Sequence, residues 1–255
     1  MKTKLLFFAF TLLTINLAGQ EVKDSTIVKP VGRKNVIKFL PVNLVFNSLS
    51  FEYERKFTPK SSFILGVGFP SSKPFPSMIN LNSGSDKITN DVFSTMSIRA
   101  AYRHYSGHRI QPSGFYFSPY FKYQKINASA DYLRTGTDPN GNDKQYQEKY
   151  SIDGSTINFG VQSGVQFLIA KRVAVDFYFL GFEAGLASIT ATVKSTDTNM
   201  INEVESNVRD NLDQLPSFLA KKIKVNRNGT DQVDVTGTSI PYPWFRSGIS
   251  LGIAF

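Results

Sequence analysis

Three groups of residues in this chain have types and spacings that suit chemistry. His104 and Ser106 stand two apart, and His108 is the only other histidine. A histidine beside a serine can act as base and nucleophile. No acidic residue lies near enough in sequence to orient the ring, so no catalytic residue is expected. Asp138, Asn140, Asn142 and Asp143 surround Gly141 and offer oxygen ligands for calcium. The calcium-loop spacing and its closing Glu are missing, and an Asx-rich turn is the better reading. Histidines four apart suit one face of a helix, but these two fall on a strand end and a turn, so no metal or other cofactor is expected. The third group is Glu52 and Glu54 on one segment with Arg99 and Arg103 on another. Each pair sits opposite the large apolar side chains of its segment. If that face is enclosed its charges must be paired, which makes the four an expected internal charge network.

The segments that carry these residues alternate with a period of two. Eight such stretches occur, at 36–46, 49–57, 62–69, 93–105, 114–125, 157–169, 173–193 and 242–255. In the second, Leu49, Phe51, Tyr53 and Phe57 alternate against Ser50, Glu52, Glu54 and Lys56. In the seventh the phase slips near Gly181, as one extra residue in a bulge would make it. Pro41 and Pro119 fall inside proposed strands and each removes a ladder donor, so a bulge or a shifted boundary is expected there. The connections 58–61, 106–113 and 170–172 are short, as is 47–48. The connections 70–91, 128–155 and 194–240 are long and polar.

Short turns on one side and long loops on the other are the asymmetry of outer-membrane barrels. The expected fold is all-β: an eight-stranded antiparallel transmembrane β-barrel, residues 35–255, with long outer loops. The loop 194–240 contains an amphipathic pattern. Ile201, Val204, Val208, Leu212, Leu215 and Leu219 recur at three- and four-residue steps, interrupted at Pro216. These six form a candidate docking face for a partner protein or lipid headgroups, and the plainer alternative is a helix lying over the barrel mouth or against the first loops. Trp244 is placed in an outer aromatic girdle.

The termini carry addresses. Lys2 and Lys4 precede an apolar run at 5–13, and Ala18 and Gly19 follow, which reads as a signal peptide at 1–19. Residues 20–34 read as a periplasmic lead-in. The last strand places Leu251, Ile253 and Phe255 on one face and Gly252 on the other. A final strand closing on Phe resembles the signal read by the barrel assembly machinery. With no cysteine there is neither disulfide nor thiolate site. The net charge of +9 is scattered without a nucleic-acid motif, so no nucleic acid is expected. Outer-membrane lipid and lipopolysaccharide are the expected counterparts, along with an outer-membrane protein partner.

The stretch from Asn35 through Lys38 to Tyr53-Glu54-Arg55 resembles the opening of the DUF3575-type barrels of Bacteroidota, which carry a similar Asn-x-x-Lys start and Tyr-Glu-Arg second strand. The likeness covers two strands closely; beyond them it is the general plan of OmpA- or OmpX-type barrels. It implies an eight-stranded outer-membrane protein of unassigned activity and transfers no catalytic residue. The expected function is therefore non-enzymatic, structural or interacting, in the cell envelope or as an accessory subunit of an outer-membrane complex. The alternatives are a narrow pore for small solutes and a lipid A-modifying barrel enzyme. The pore needs a continuous polar channel, and eight strands leave almost none. The enzyme would need His104 near the outer leaflet, and the strand direction puts it at the opposite end.

Overall fold

Aromatic and β-branched residues at alternate positions favour extended backbone, and most of this chain obeys them. A computed structural model describes residues 32–71, 87–137 and 143–255. The expected signal peptide, the lead-in as far as residue 31, most of the 70–91 connection, and Asp138, Asn140 and Asn142 lie outside the described residues.

The strands are β1 (Asn35–Phe39), β2 (Ser48–Lys56), β3 (Ser61–Pro70), β4 (Lys87–Tyr105), β5 (Gly114–Thr137), β6 (Asp143–Ile169), β7 (Val173–Ser195), β8 (Ile223–Asn228) and β9 (Gln232–Ala254). They form one antiparallel sheet in which each of β1 to β7 pairs with the next, β7 pairs with β9, and β9 pairs back with β1. The sheet therefore closes into a ring of eight strands. The ninth, β8, pairs with β9 beyond the closure, from Ile223 opposite Gly237 to Asn228 opposite Gln232. The Asn228-Gly229 turn that joins them uses a positive φ of 70° at Gly229.

The closing seam is short. Val36, Ile37, Lys38 and Phe39 face Ala254, Ile253, Gly252 and Leu251. Asn35 and Phe255 exchange backbone hydrogen bonds of 3.2 and 2.9 Å beneath them. A β-carbon on Gly252 would stand 2.4 Å from the Ile37 carbonyl oxygen, a backbone atom that cannot swing aside. Gly252→Val is expected to cost on the order of 1–3 kcal/mol through overpacking. Urea unfolding of the two proteins checks this, with Gly107→Val as control because a β-carbon there meets nothing within 4 Å.

Five boundaries lie well away from those read in the sequence. The first stretch does not run to residue 46: β1 stops at Phe39, and Pro41–Phe46 is a 3-10 turn. Proline fixes φ and has no N–H, so it is tolerated in a first helical turn and costs a bond in a ladder. Asn47, at φ 48°, ends that turn. The stretches at 93, 125, 157 and 242 extend outward. β5 and β6 stay paired as far as Thr137 opposite Asp143, so the loop expected at 128–155 is mostly a hairpin. The region 194–240 holds helix α1 (Thr198–Asp213), a single turn α2 (Ser217–Ala220), β8 and the start of β9.

Pro119 introduces no bulge. It pairs in continuous register with Val161, and Ser118 Oγ donates to the Tyr102 carbonyl at 2.9 Å. A side-chain hydroxyl thus serves the β4 acceptor beside the missing N–H. The β7 bulge is present: Ser163 faces Leu180 and Gly164 faces Tyr178, leaving Phe179 as the extra residue.

Candidate functional site

The ring has its polarity reversed relative to a water-soluble sheet. Its interior carries Lys38, Glu52, Glu54, Arg99, Arg103, Gln162, Gln166 and Asp176, all buried. Its exterior carries large apolar side chains in the open: Phe159 and Ile253 are 66 % exposed and Phe182 is 60 % exposed. Period two does this, with one change of phase at the β7 bulge, because each strand sends odd and even residues to opposite faces.

Charges from many strands meet in one layer of the interior. Lys38 of β1 reaches Glu54 of β2 at 2.6 Å and Asp176 of β7 at 2.9 Å. Arg103 of β4 meets the same two carboxylates at 3.3 and 2.9 Å. Both cations donate to Gln166 Oε1 of β6, at 2.6 and 2.7 Å. Ser62 of β3 and Tyr105 donate to Glu54 at 2.5 Å each, and Tyr116 of β5 donates to Asp176 at 2.7 Å. The Arg103 guanidinium lies 3.6 Å above the Tyr116 ring. Ser250 of β9 is buried at the same level without a hydrogen-bond partner, so seven ring strands supply the bonds of this layer and the eighth only fills space. Four charges in low dielectric are tolerable only with this degree of pairing.

A second layer lies further along the strands. Arg99 is paired with Glu52 and donates to Gln162 at 3.1 Å. Tyr120 and Lys122 both donate to Glu183, at 2.8 and 2.7 Å. Arg246 stacks on Tyr178 and Tyr120, 4.8 and 5.4 Å from their ring centres. Glycines make room for these rings: β-carbons on Gly164 and Gly248 would stand 2.4 Å from the hydroxyls of Tyr116 and Tyr178.

Glu52, Glu54, Arg99 and Arg103 are thus brought together in the pairs Glu52–Arg99 and Glu54–Arg103. Lys38, Asp176, Gln162, Gln166, Glu183 and the tyrosines were not read from the sequence. Several of them do recur at the strand period or twice it, as Asp176 with Tyr178, Tyr116 with Tyr120 and Gln162 with Gln166, but nothing in the sequence gives any of them a partner.

The reversed polarity stops at a definite level. Outward residues run apolar up to Tyr123, Ile157 and Leu186. Beyond them come Lys125 and Asn127, Ser155 and Asp153, Ser188 and Thr190. The inward residues switch the other way, to Ile126, Ala128, Ile152, Ile189, Ala191, Val233 and Val235. The extension therefore turns its polar side outward and its apolar side inward, with Val233 buried and Ile152 and Ile189 left exposed.

Helix α1 covers part of that apolar face. Asp197 caps it by accepting from the Asn199 N–H at 3.0 Å. Ile201 is buried, Val204, Val208 and Leu212 are half-buried, and α1 touches β7, β8 and β9. Arg227 of β8 donates to Asn202 at 2.5 Å and to Glu205 at 3.1 Å. Hydrogen bonds from Arg209 and Arg227 hold the Glu205 carboxyl below its ordinary range. Most of the candidate docking face is accordingly occupied by the chain's own hairpin. Around Pro216, Leu219 is half-buried, while Leu215 and Phe218 stay exposed.

His104 is exposed on the outer face of β4, opposite Ser61 and Phe117. Among the described residues no group of three His, Cys, Asp or Glu could hold a metal ion. Trp244 is exposed and lines a shallow depression with Phe182, Pro243 and Phe245. No helix among the described residues is long and apolar enough to cross a membrane, which says nothing of strands. No family model, curated protein or solved structure matches this chain.

Proposed function

We propose that this chain is a non-enzymatic outer-membrane β-barrel protein whose interior is plugged by its own charges, with a structural or interaction role in the cell envelope. The observation that carries the reading is the reversed polarity of the ring. In water, an apolar surface of this extent would drive association, since monomeric soluble proteins rarely expose contiguous patches above a few hundred Å². In lipid it is the required surface, and a closed sheet leaves no unpaired edge around the ring.

The dimensions fit. The outward apolar run covers eight residue steps on β5, from Phe115 to Tyr123, and twelve on β6, from Ile157 to Ile169. At ~3.3 Å per residue and a tilt of ~40° this is roughly 20–30 Å along the membrane normal, close to a hydrocarbon core. In this reading Leu251, Ile253 and Phe255 face lipid and serve assembly, while Gly252 lets β1 and β9 approach. The resemblance to DUF3575-type barrels belongs to the same proposal: Lys38 and Glu54, which carry it, are the hub of the plug.

The plug favours a non-conducting protein over a pore. Side chains from every ring strand fill one layer, and eight strands leave little space besides. Two measurements test the reading together. The folded protein, extracted in mild detergent, should migrate faster on a gel before boiling than after. In planar bilayers it should give no stable current steps. Identical migration, with solubility in detergent-free buffer, would sink the membrane reading; stable single-channel steps would sink the plug.

A further inference from the structure

Both ends of the ring carry cations, but the acidic residues are unevenly distributed. The four segments at its short-turn end are residues 32–35, 55–61, 104–114 and 169–173. They hold Arg33, Lys34, Arg55, Lys56, Lys60, Arg109, Lys171 and Arg172, and no Asp or Glu. Lys56 is buried, with its ammonium 4.3 Å above the Tyr105 ring. The other seven are exposed or half-exposed. Among the described residues none of the seven forms an ion pair with an acidic side chain, although Arg33 donates to the Lys171 carbonyl at 2.8 Å. The far end mixes both signs, although Lys125, Lys149 and Lys194 are in no ion pair there either among the described residues. There Arg134 pairs with Glu148 and Asp197, while Arg209 and Arg227 share Glu205.

From this we infer that the short-turn end is a seat for anionic phospholipid headgroups in the leaflet that surrounds it. The inference rests on the membrane reading above. Seven like charges on one rim repel each other, and no acidic side chain of the described rim meets them. Two features select lipid over an acidic protein. The cations encircle the end, with contributions from the approach to β1 and from the β2–β3, β4–β5 and β6–β7 turns, whereas a docked protein would engage one side. They also adjoin the apolar band directly. Arg55 follows Tyr53 on the outward face of β2, and Phe57, Ile110, Ile169 and Phe255 stand exposed among the charges. Long basic side chains at the edge of an apolar band extend to the headgroups and keep their stems in the hydrocarbon. Anionic lipid surfaces attract such residues within about one Debye length.

The test is lipid selectivity in reconstituted bilayers of phosphatidylcholine that carry a trace of spin-labelled phosphatidylglycerol or spin-labelled phosphatidylcholine. Electron paramagnetic resonance then reads the fraction of each lipid held at the protein surface. Phosphatidylglycerol should be preferred by about threefold or more at low salt, and the preference should shrink as salt is added. It should fall close to unity when Arg33, Arg55, Arg109, Lys171 and Arg172 are changed to Gln. It should persist when Lys125, Lys149 and Lys194 at the far end are changed to Gln. Equal retention of both lipids by the unaltered protein would overturn the inference, as would loss of preference only in the far-end variant. So would equal retention accompanied by cross-linking of this rim to an acidic protein in cells. Failure to insert into phosphatidylcholine at all would overturn the membrane reading and this inference with it, and the insertion step shows which of the two has failed.

Discussion

Arg103→Met should lower the stability of the folded protein by about 3–5 kcal/mol, the range found when one partner of a buried ion pair is removed. The side chain is fully buried. It holds Glu54 and Asp176 at 3.3 and 2.9 Å and stacks on Tyr116. Methionine fills part of the volume, which isolates the electrostatic effect from a cavity. Two carboxylates then share Lys38 alone. Arg103→Lys should not restore stability, because one ammonium lacks the planar fork that reaches both carboxylates and Gln166. Adding Asp176→Asn to Arg103→Met should recover a substantial part of the loss, since it removes the charge left unpaired, and the two effects should be non-additive. Urea unfolding followed by the fluorescence of Trp244, the single tryptophan, reads all three variants. A shift below about 1 kcal/mol for Arg103→Met would show that the layer is hydrated and loosely held, against the filled interior described above.

How far this layer was legible in the sequence depends on how many marks each strand carried. Glu52 with Glu54 and Arg99 with Arg103 recur at the strand period, or twice it, so their shared face could be read. Lys38 and Asp176 are the other half of the hub, and each is a lone charge between apolar residues. Tyr116, Tyr120 and Tyr178 fall on the polar face by alternation alone, but their part in the layer needs hydroxyl partners on other strands, Asp176 and Glu183 among them, which the sequence does not show. The outer extension was missed for a different reason. Beyond Lys125 the inward residues are Ile126, Ala128 and Ala130 and the outward ones Asn127 and Ser129. Alternation continues there with its sense inverted and its amplitude reduced by small side chains, so a rule that seeks apolar residues on the outside reads loop. The hairpin of β8 and β9 had its own mark in Asn228-Gly229, flanked by Val225 and Val233.

That inversion also locates the apolar band, and the location can be tested one position at a time along β6. Phe159→Arg should destabilise the folded protein in lipid by about 1–2 kcal/mol, because it lies one outward residue inside the band edge at Ile157, short of the midplane where the cost of a cation is greatest. Asp153→Arg lies on the same face of the same strand, six residues further out, and should change stability by less than about 0.5 kcal/mol. Ile157→Arg should fall between them, because an arginine close to the band edge can extend its guanidinium to the headgroups. The same substitutions in a water-soluble ring would follow a different order. Phe159 is 66 % exposed, so replacing it there would remove little packing and would improve solubility. The depth profile therefore separates the two solvents without reference to any binding partner. Equal, small effects at 153, 157 and 159 would place the outward face in water, and the reversed polarity would then need a protein partner around the ring rather than a bilayer.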